Sequence, residues 1–458
     1  MSPAADTLRA AVVGAGPSGF YAADQLLDAG FGVDLIDALP TPFGLVRAGV
    51  APDHPKIKSV TRVYDRTAAR PGFRFFGGVE LGGEITRAEL LARYHVVLYA
   101  VGTADDRRLG IPGEDRPGVH AATRFVAWYN GHPSATGESF DLTARRVVVI
   151  GNGNVAVDVA RMLVLDPSEL AQTDTADHAL RALSGAHVEE VVVLGRRGPA
   201  QAAFTNPELR ELGELTRADV HVEPSELELD EHSAHWLEHE GDATARRNLE
   251  LLRDFARRPV NGHARRIALR FLRSPVAVLG EGPDGPVRAL RVARNRIELS
   301  GDGRLEAVAT DRHEDIECEL VLRSIGYRGC PVDDVPFDEA RGLIRNAGGR
   351  VCDEDGRHHR GEYVVGWIKR GPSGVIGTNK KDAADTVSRI VEDASAGLLN
   401  EPARSEPDWI TDRIPTAVAW NGWCAIDARE RTAGERQGRP RVKIVRLPDL
   451  LAAAVGTA

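Results

Sequence analysis

The feature that most restricts the fold of this chain is a glycine-rich turn that occurs twice. The first copy, Gly14–Gly19, has the pattern G-x-G-x-x-G and follows the apolar run Ala10–Val13. It opens a helical segment, Pro17–Ala29, which Gly30 ends before the second apolar run, Phe31–Ile36. Strand, glycine turn, helix and strand form a βαβ unit, which requires a parallel sheet with a right-handed crossover.

The same order of elements begins again at Arg146. A strand over Val147–Ile150 leads into Gly151–Ala156, where alanine replaces the third glycine, a tolerated variant. A helix over Val155–Leu165 and a strand over Val188–Leu194 follow, and we expect an inserted helix in the long connection between them. Two such units in one chain predict an α/β protein with two Rossmann-like dinucleotide-binding domains.

The boundaries of these domains are marked by composition. A length of 458 residues suggests two or three domains. Ile111–Gly118 is a turn-rich connector after the strand Val96–Val101, and Cys318–Ile325 has the pattern of a partner strand on the far side. We therefore expect the second domain to be inserted within a discontinuous first domain. The predicted ranges are 1–104 and 322–458 for the first domain and 105–321 for the second.

The first glycine turn has the context of a nucleotide fingerprint. The glycines permit a tight turn and a close approach of the pyrophosphate, and the helix N-terminus supplies free N–H groups. Asp37 ends the second strand, where a carboxylate accepts hydrogen bonds from ribose hydroxyls. The predicted contacts of this site are Gly14, Gly16, Pro17, Ser18, Gly19 and Asp37.

The second fingerprint ends in the opposite charge. Its predicted contacts are Gly151, Asn152, Gly153, Asn154 and Val155. In place of an acid, its second strand is followed by Gly195, Arg196 and Arg197, which would attract the 2′-phosphate of NADPH. A solvated pair of arginines at a strand end is the alternative. The simplest interpretation is FAD in the first site and NADP(H) in the second, since two nicotinamides offer no obvious chemistry.

Composition excludes several other classes. The net charge of −9 argues against a general nucleic-acid binder. No two of the four cysteines are close in sequence, which excludes a CxxC redox pair, a zinc ribbon and an internal iron–sulfur cluster, so we expect no metal site. We also expect no membrane span, no signal peptide at Met1–Leu8 and a cytoplasmic location.

Five further segments carry a resemblance to a known family. They are Pro42–Lys56, Phe125–Gly131, Gly195–Thr205, Ser324–Gly329 and Gly366–Lys380. With the two fingerprints, they make the chain resemble the adrenodoxin reductase family of ferredoxin–NADP+ reductases from Val12 to about Lys443. Ala127 departs from the glycine that is usual in the family, and we expect only local repacking there.

The resemblance implies bound FAD, oxidation of NADPH and delivery of electrons to a small iron–sulfur protein. It implies that Leu45 and Trp367 contact FAD, together with Gly374, Val375 and Ile376 against the isoalloxazine ring. It assigns Arg196, Arg197 and Glu208 to the 2′-phosphate. His54 and Asp158 correspond to the pair proposed to handle protons in the family.

Three of these assignments have structural alternatives that the sequence leaves open. Trp367 is either a cofactor contact or a core tryptophan. Because hydride transfer to a flavin needs no protein acid, His54 either carries a proton or only makes hydrogen bonds. Asp158, four residues after Asn154, either reaches the nicotinamide or complements the helix N-terminus.

An acidic ferredoxin as acceptor would require a basic face on the protein. The candidates are Arg246, Arg247, Arg253, Arg257 and Arg258, in a span where Glu250 and Asp254 oppose them. A solvated amphipathic helix is the alternative, and the absence of interleaved aromatic residues argues against nucleic acid. An NADPH diaphorase that reduces quinones or other small molecules is the competing function, and a flavin-binding sensor is the non-enzymatic one.

Overall fold

The computed structural model of the chain describes residues 8–259, 261–374, 376–404 and 406–455. It divides into two compact units. The first unit is Met1–Asp106 with Gly326–Ala458, and the second unit is Arg107–Ile325. The second unit is thus inserted within the first.

The return boundary differs from the one predicted at residue 322. That position would cut the strand Leu320–Arg323, which pairs along its whole length inside the sheet of the second unit. The boundary therefore lies after the strand, at Gly326, and the outgoing boundary lies after Asp106 rather than residue 104.

The described residues form the following strands and helices. The strands are β1 (Arg9–Val13), β2 (Gly32–Asp37), β3 (Phe73–Gly77), β4 (Val96–Tyr99), β5 (Asp105–Asp106), β6 (Val119–Ala121), β7 (Arg146–Ile150), β8 (Glu190–Leu194), β9 (Ala218–Val222), β10 (Arg265–Arg270), β11 (Arg273–Gly280), β12 (Val287–Leu299), β13 (Leu305–Glu317), β14 (Leu320–Arg323), β15 (Tyr327–Arg328), β16 (Phe337–Asp338), β17 (Leu343–Ile344), β18 (Asn346–Ala347), β19 (Arg350–Cys352) and β20 (His358–Val364). The helices are α1 (Pro17–Asp28), α2 (Leu45–Ala48), α3 (Pro55–Lys58), α4 (Thr61–Ala68), α5 (Arg87–Leu91), α6 (Ala122–Tyr129), α7 (Asn154–Val164), α8 (Pro167–Leu170), α9 (Asp177–Ser184), α10 (Asn206–Leu212), α11 (Glu231–His239), α12 (Ala243–Arg257), α13 (Trp367–Arg370), α14 (Ile376–Ser395), α15 (Trp409–Arg413), α16 (Trp420–Glu435) and α17 (Leu447–Ala454).

The first unit is built on a seven-stranded sheet in the order β18-β19-β20-β4-β1-β2-β3. Its five strands from β20 to β3 are parallel, with Val12 opposite Leu35 and Leu98. The central strands are buried on both faces, which explains their continuous apolar sequences. The chain leaves β1 for β2 on one side while β4 lies on the other, so a crevice opens at the carboxyl end of β1.

The second unit is built on a six-stranded parallel sheet in the order β6-β14-β7-β8-β10-β9. Here β7 has β8 on one side and β14 on the other, which repeats the arrangement around β1. The long connection after α7 contains two helices, α8 and α9, where the sequence predicted one. The prediction of two Rossmann-like domains, one inserted in the other, is confirmed.

A separate antiparallel sheet, β11-β12-β13, belongs to the second unit and was not predicted. Its two long strands, β12 and β13, pair from Ala289 to Leu299 with a register shift between Ala293 and Asn295. In the part of the chain that the structure describes, no helix has the length and apolar character needed to cross a membrane.

Candidate nucleotide-binding sites

The first glycine turn lies at the carboxyl end of β1. Gly14 has φ +110°, and a Cβ there would lie 2.4 Å from the carbonyl oxygen of Ala100, just after β4. A Cβ on Gly19 would lie 1.9 Å from the carbonyl oxygen of Gly14. At Gly16, in contrast, φ is negative and a Cβ would meet no protein atom within 4 Å. The protein itself does not require glycine there, which fits a position that a pyrophosphate approaches closely.

The loop before α2 packs on this turn. A Cβ on Gly44 would lie 3.0 Å from the Cα of Gly16, and the N–H of Phe43 donates to the carbonyl of Ala15 at 2.8 Å. Phe43 has φ +86°, which is strained for a residue with a large side chain. Such strain is concentrated at functional sites. Leu45 follows directly and is 36% exposed, so its side chain is available to a ligand.

Asp37 ends β2 beside the same turn. Its carboxylate accepts hydrogen bonds from the N–H groups of Ala15 at 2.7 Å and Leu39 at 2.9 Å. Burial raises the pKa of Asp37 to about 6, although these two N–H groups act in the opposite direction. Each carboxylate oxygen keeps a further lone pair, so Asp37 shapes the turn and retains acceptor capacity for a ribose.

The segment around Trp367 also contacts the first fingerprint. Gly366 has φ +82°, and a Cβ there would lie 2.4 Å from the Oγ of Ser18. Its N–H donates to the carboxylate of Asp382, on α14, at 2.6 Å. Trp367 is half-buried, and its Nε1 is buried with no hydrogen-bond partner among the described residues. An unused indole donor beside the fingerprint fits a cofactor contact better than a core tryptophan.

The other predicted contacts in this segment are only partly described. Gly374 has φ +80° and is exposed, while Ile376 begins the 20-residue helix α14 and is half-buried. Val375 lies outside the described residues. The start of α14, whose first N–H groups have no acceptor within the helix, is thus adjacent to the loop expected to face the isoalloxazine ring.

The second glycine turn repeats the geometry of the first. Gly151 has φ +131°, and a Cβ there would lie 2.1 Å from the carbonyl oxygen of Ser324, just after β14. A Cβ on Gly153 would meet no protein atom within 4 Å, as at Gly16. The side chain of Asn154 accepts from the N–H of Thr205 at 2.8 Å, and Asn152 has a buried Nδ2 without a partner among the described residues. Val155 is half-buried.

The two arginines after β8 have no acidic partner in the part of the chain that the structure describes. Arg196 is exposed and Arg197 is half-buried, and neither forms an ion pair within the described residues. Burial and then the neighbouring cation Arg196 lower the pKa of Arg197. Two adjacent, uncompensated guanidinium groups fit a dianionic phosphate group. Glu208, in the first turn of α10, pairs with neither arginine and has a buried Oε2 without a partner in the described chain.

The proposed proton-handling residues lie in different units. His54 is 8% exposed and caps the short helix α3, and its N–H donates to the carbonyl of Ala51. Asp158, on α7, forms a 2.8 Å ion pair with Arg161, which is itself buried. The sequence did not foresee this ion pair, which occupies one carboxylate oxygen of Asp158.

All five arginines of the candidate docking face are exposed on α12 or at its end. Most of them already have a partner. Arg246 donates to the carbonyls of Leu237 and Glu238 at the end of α11, and Arg258 donates to the carbonyl of Gly213. Arg247 pairs with Glu250, and Arg257 lies 3.6 Å from Asp254. Arg253 has no ion pair among the described residues. The helix keeps a positive surface, but its freely available charge is smaller than the sequence suggests.

Comparison with known proteins gives a consistent result. Residues 7–209 match the family model described as pyridine nucleotide-disulphide oxidoreductase. The chain is 48% identical to the NADPH-ferredoxin reductase FprA of Mycobacterium leprae, over 96% of this chain and 97% of that protein. It is 40% identical to the mitochondrial NADPH:adrenodoxin oxidoreductase of Arabidopsis thaliana, over 98% of this chain and 95% of that protein.

The comparison with solved structures leads to the same family. The structure of Mycobacterium tuberculosis FprA in complex with NADPH matches with a TM-score of 0.90 and 47% identity, covering 98% of this chain and 100% of that one. The chain belongs to the adrenodoxin reductase family of ferredoxin–NADP+ reductases. It is therefore an oxidoreductase, and FAD and NADP(H), the cofactors of this family, fit the two fingerprints described above.

Some residues that build these sites had no assigned role in the sequence. Ala100 and Ser324 approach the fingerprint glycines mainly with their carbonyl groups, and each follows a strand that becomes a neighbour of the fingerprint strand through the sheet order. Asp382 fixes Gly366 from a helix. The described residues contain no group of three or more His, Cys, Asp or Glu side chains arranged to hold a metal ion.

Proposed function

We propose that this protein is an FAD-dependent ferredoxin–NADP+ reductase that takes a hydride from NADPH onto FAD and passes single electrons to an acidic iron–sulfur ferredoxin. One observation carries the proposal. Two fingerprints of the same geometry end in opposite charges, with Asp37 in the first unit and Arg196 and Arg197 in the second. A carboxylate suits a free ribose, and a pair of unpaired guanidinium groups suits a 2′-phosphate.

The residues of the first unit have the properties needed to hold and orient FAD. Gly16 leaves room for the pyrophosphate, and Asp37 offers acceptors to the ribose. Trp367 presents an aromatic surface and an unused N–H donor. When bound, FAD accepts two electrons together and releases them one at a time, which joins a hydride donor to a one-electron acceptor.

His54 and Asp158 are proposed as positioning residues rather than proton donors. Hydride transfer to a flavin depends on orientation and on exclusion of water, and neither residue has to change its protonation state for it. Burial of His54 and the ion pair of Asp158 with Arg161 support this assignment, because both side chains are held by the protein.

The test is an anaerobic titration of the purified protein with NADPH, followed by ferredoxin. We expect a yellow protein whose visible absorption is bleached by NADPH within the first equivalents and much less by NADH. Addition of an oxidised acidic ferredoxin should restore the absorption, and cytochrome c reduction should depend on that ferredoxin.

Two results would contradict the proposal. A protein that stays colourless after incubation with FAD lacks the cofactor site. Cytochrome c or quinone reduction that proceeds at the same rate with and without ferredoxin would favour the competing NADPH diaphorase.

A further inference from the structure

The loop that carries Arg196 and Arg197 is held by its backbone from outside the Rossmann sheet. Three consecutive carbonyls of this loop accept hydrogen bonds. The carbonyl of Gly195 accepts from the N–H of Arg273 at 3.0 Å, and the carbonyl of Arg197 accepts from the N–H of Leu272 at 3.1 Å. Between them, the carbonyl of Arg196 accepts from the side-chain Nδ2 of Asn295 at 2.6 Å.

Asn295 connects the carbonyl of Arg196 to Leu272, the residue that donates to Arg197. Its own N–H donates to the carbonyl of Leu272 at 2.9 Å, so it contacts both Arg196 and the residue that holds Arg197. Its Nδ2 also donates to the Oγ of Ser274 at 2.8 Å. The reverse orientation of the amide would place Oδ1 against the carbonyl oxygen of Arg196, so this carbonyl determines which way the side chain faces.

The surroundings of Asn295 indicate a specific role. It lies on β12, in the antiparallel sheet, at the register shift that follows Ala293, and it is only 4% exposed. Its Oδ1 is buried without a hydrogen-bond partner among the described residues, which costs free energy. An apolar residue at this position would not have this cost. Leu272 has φ +55°, a strained value for leucine. A buried amide and a strained residue therefore meet at the carbonyls of the two arginines.

Such a contact matters because the two arginines repel each other. Neither has an acidic partner in the described chain, so nothing on their side chains holds them together before a phosphate binds. Fixing three successive carbonyls fixes the direction of each Cα–Cβ bond. Charge-assisted hydrogen bonds to phosphate depend on geometry, so a loop held in this way loses less conformational entropy on binding.

We propose that Asn295 is a specificity-determining positioning residue, which holds the Arg196–Arg197 loop in the conformation that accepts a 2′-phosphate. The proposal rests on the proposed assignment of NADPH to the second unit. Asn295 itself does not have to touch the nucleotide. Its effect should appear in the preference for NADPH over NADH, since the other parts of the two nucleotides are the same.

The experiment compares four forms of the FAD-loaded protein: wild type, Asn295→Leu, Val292→Ala, and Arg196→Ala combined with Arg197→Ala. The leucine variant keeps the approximate shape of asparagine and removes the donor. Val292 is buried on the same strand and donates none of the three hydrogen bonds to the carbonyls of the loop, so its substitution is a control for destabilisation of the strand. kcat/KM is measured for NADPH and NADH with ferricyanide as acceptor. Binding of adenosine 2′,5′-bisphosphate and 5′-AMP is measured by calorimetry.

We expect Asn295→Leu to lower kcat/KM for NADPH about three- to tenfold, mainly through KM, with little change for NADH. Its affinity for adenosine 2′,5′-bisphosphate should fall by a similar factor, while 5′-AMP binding is unchanged. Val292→Ala should leave the NADPH to NADH ratio at the wild-type value. Asn295→Ala removes the same donor without adding atoms and replaces the leucine variant if that does not fold.

The outcomes separate this inference from the function on which it rests. If wild type prefers NADPH and the double arginine variant loses that preference, the nucleotide assignment holds. An unchanged ratio in the Asn295 variants would then overturn the positioning role alone. Equal use of NADPH and NADH by the wild type would overturn the assignment itself.

Discussion

Asp37 combines a structural and a ligand-binding task in one carboxylate. It accepts from the N–H groups that shape the first fingerprint, and its pKa is raised to about 6 by burial. The ionised form is the better acceptor for ribose hydroxyls. Because the pKa of the folded protein lies above the ordinary value of 3.8, this carboxylate becomes protonated as the pH falls through about 6.

We therefore predict that FAD is held less tightly below pH about 6. Loss of a hydrogen bond to a charged acceptor corresponds to about a 10- to 100-fold lower affinity. Release of FAD, followed by its fluorescence between pH 8 and pH 5, measures the effect. Asp37→Asn should release FAD readily even at pH 8 and show a flatter profile, whereas Asp28→Asn, an exposed acid at the end of α1, should behave as wild type. A wild-type profile that is flat across this range would contradict the role of Asp37.

At the level of single residues, the sequence identified the positions where a side chain is forbidden. Gly14 and Gly151 were predictable because the turn after a parallel strand brings the next strand's backbone close. The roles of Phe43 and Asn295 could not be predicted. Phe43 adopts a positive φ, and Asn295 contacts a residue that lies 99 positions away in sequence. The free positive charge of the arginines on α12 was also overestimated from the sequence, because the sequence does not show that Arg246 donates to the end of α11.

Helix α16 is tied to α2, the short helix that follows the loop packed on the first fingerprint. Glu430 is fully buried on α16. It accepts two hydrogen bonds, at 2.6 and 2.9 Å, from Arg47, which lies two residues after Leu45. It also accepts from Arg441 at 3.1 Å and from the N–H of Ile444 at 2.8 Å. Burial would raise the pKa of Glu430, but Arg47 and Arg441 hold it below its ordinary value. Its contribution to stability is present at neutral pH and is lost in acid.

Glu430→Gln should destabilise the first unit by about 3–5 kcal/mol, since it leaves buried arginine charge without its partner. Urea unfolding followed by tryptophan fluorescence measures the change, because Trp420 and Trp423 lie on the same helix. The exposed Glu435→Gln is the matched control on α16 and should change stability little. We also expect the Glu430 variant to retain less FAD, because Arg47 lies on α2, directly after the loop that contacts Gly16. Unfolding at the same urea concentration as wild type would contradict this role.

At the level of elements, repetition made the fold predictable. Each βαβ unit carries its own signals in sequence: an apolar strand, a glycine turn and an amphipathic helix. The place of β14 beside β7 could not be derived, because parallel neighbours in a sheet need not be neighbours in sequence. The β11-β12-β13 sheet was missed since its strands are largely polar on one side and rich in charge. That sheet supplies Asn295, so the missed element is also the one that contacts the predicted arginines.

For the whole molecule, the distribution of charge bears on the choice of electron acceptor. The chain carries a net charge of −9, yet α12 and the residue that follows it present five exposed arginines, with Glu250 and Asp254 as the exposed opposing charges of the helix. The net negative charge of the protein would repel an acidic ferredoxin. The local positive region at α12 would attract it. Attraction of this kind acts mainly on the rate of association and is weakened by salt.

We predict that Arg246→Glu combined with Arg247→Glu slows reduction of an acidic ferredoxin by at least about tenfold at low salt, with a smaller effect at 0.5 M salt. Ferricyanide reduction should be unchanged, because a small acceptor needs no docking face. Since Arg253 has no ion pair in the described chain, Arg253→Glu alone should already slow the ferredoxin reaction.

The matched control is Arg288→Glu with Arg291→Glu on β12. It changes the net charge of the protein by the same amount, and both arginines are exposed and paired with acids. An equal loss in that control would show a general charge effect, and an unchanged ferredoxin rate in the α12 variants would place the docking face elsewhere.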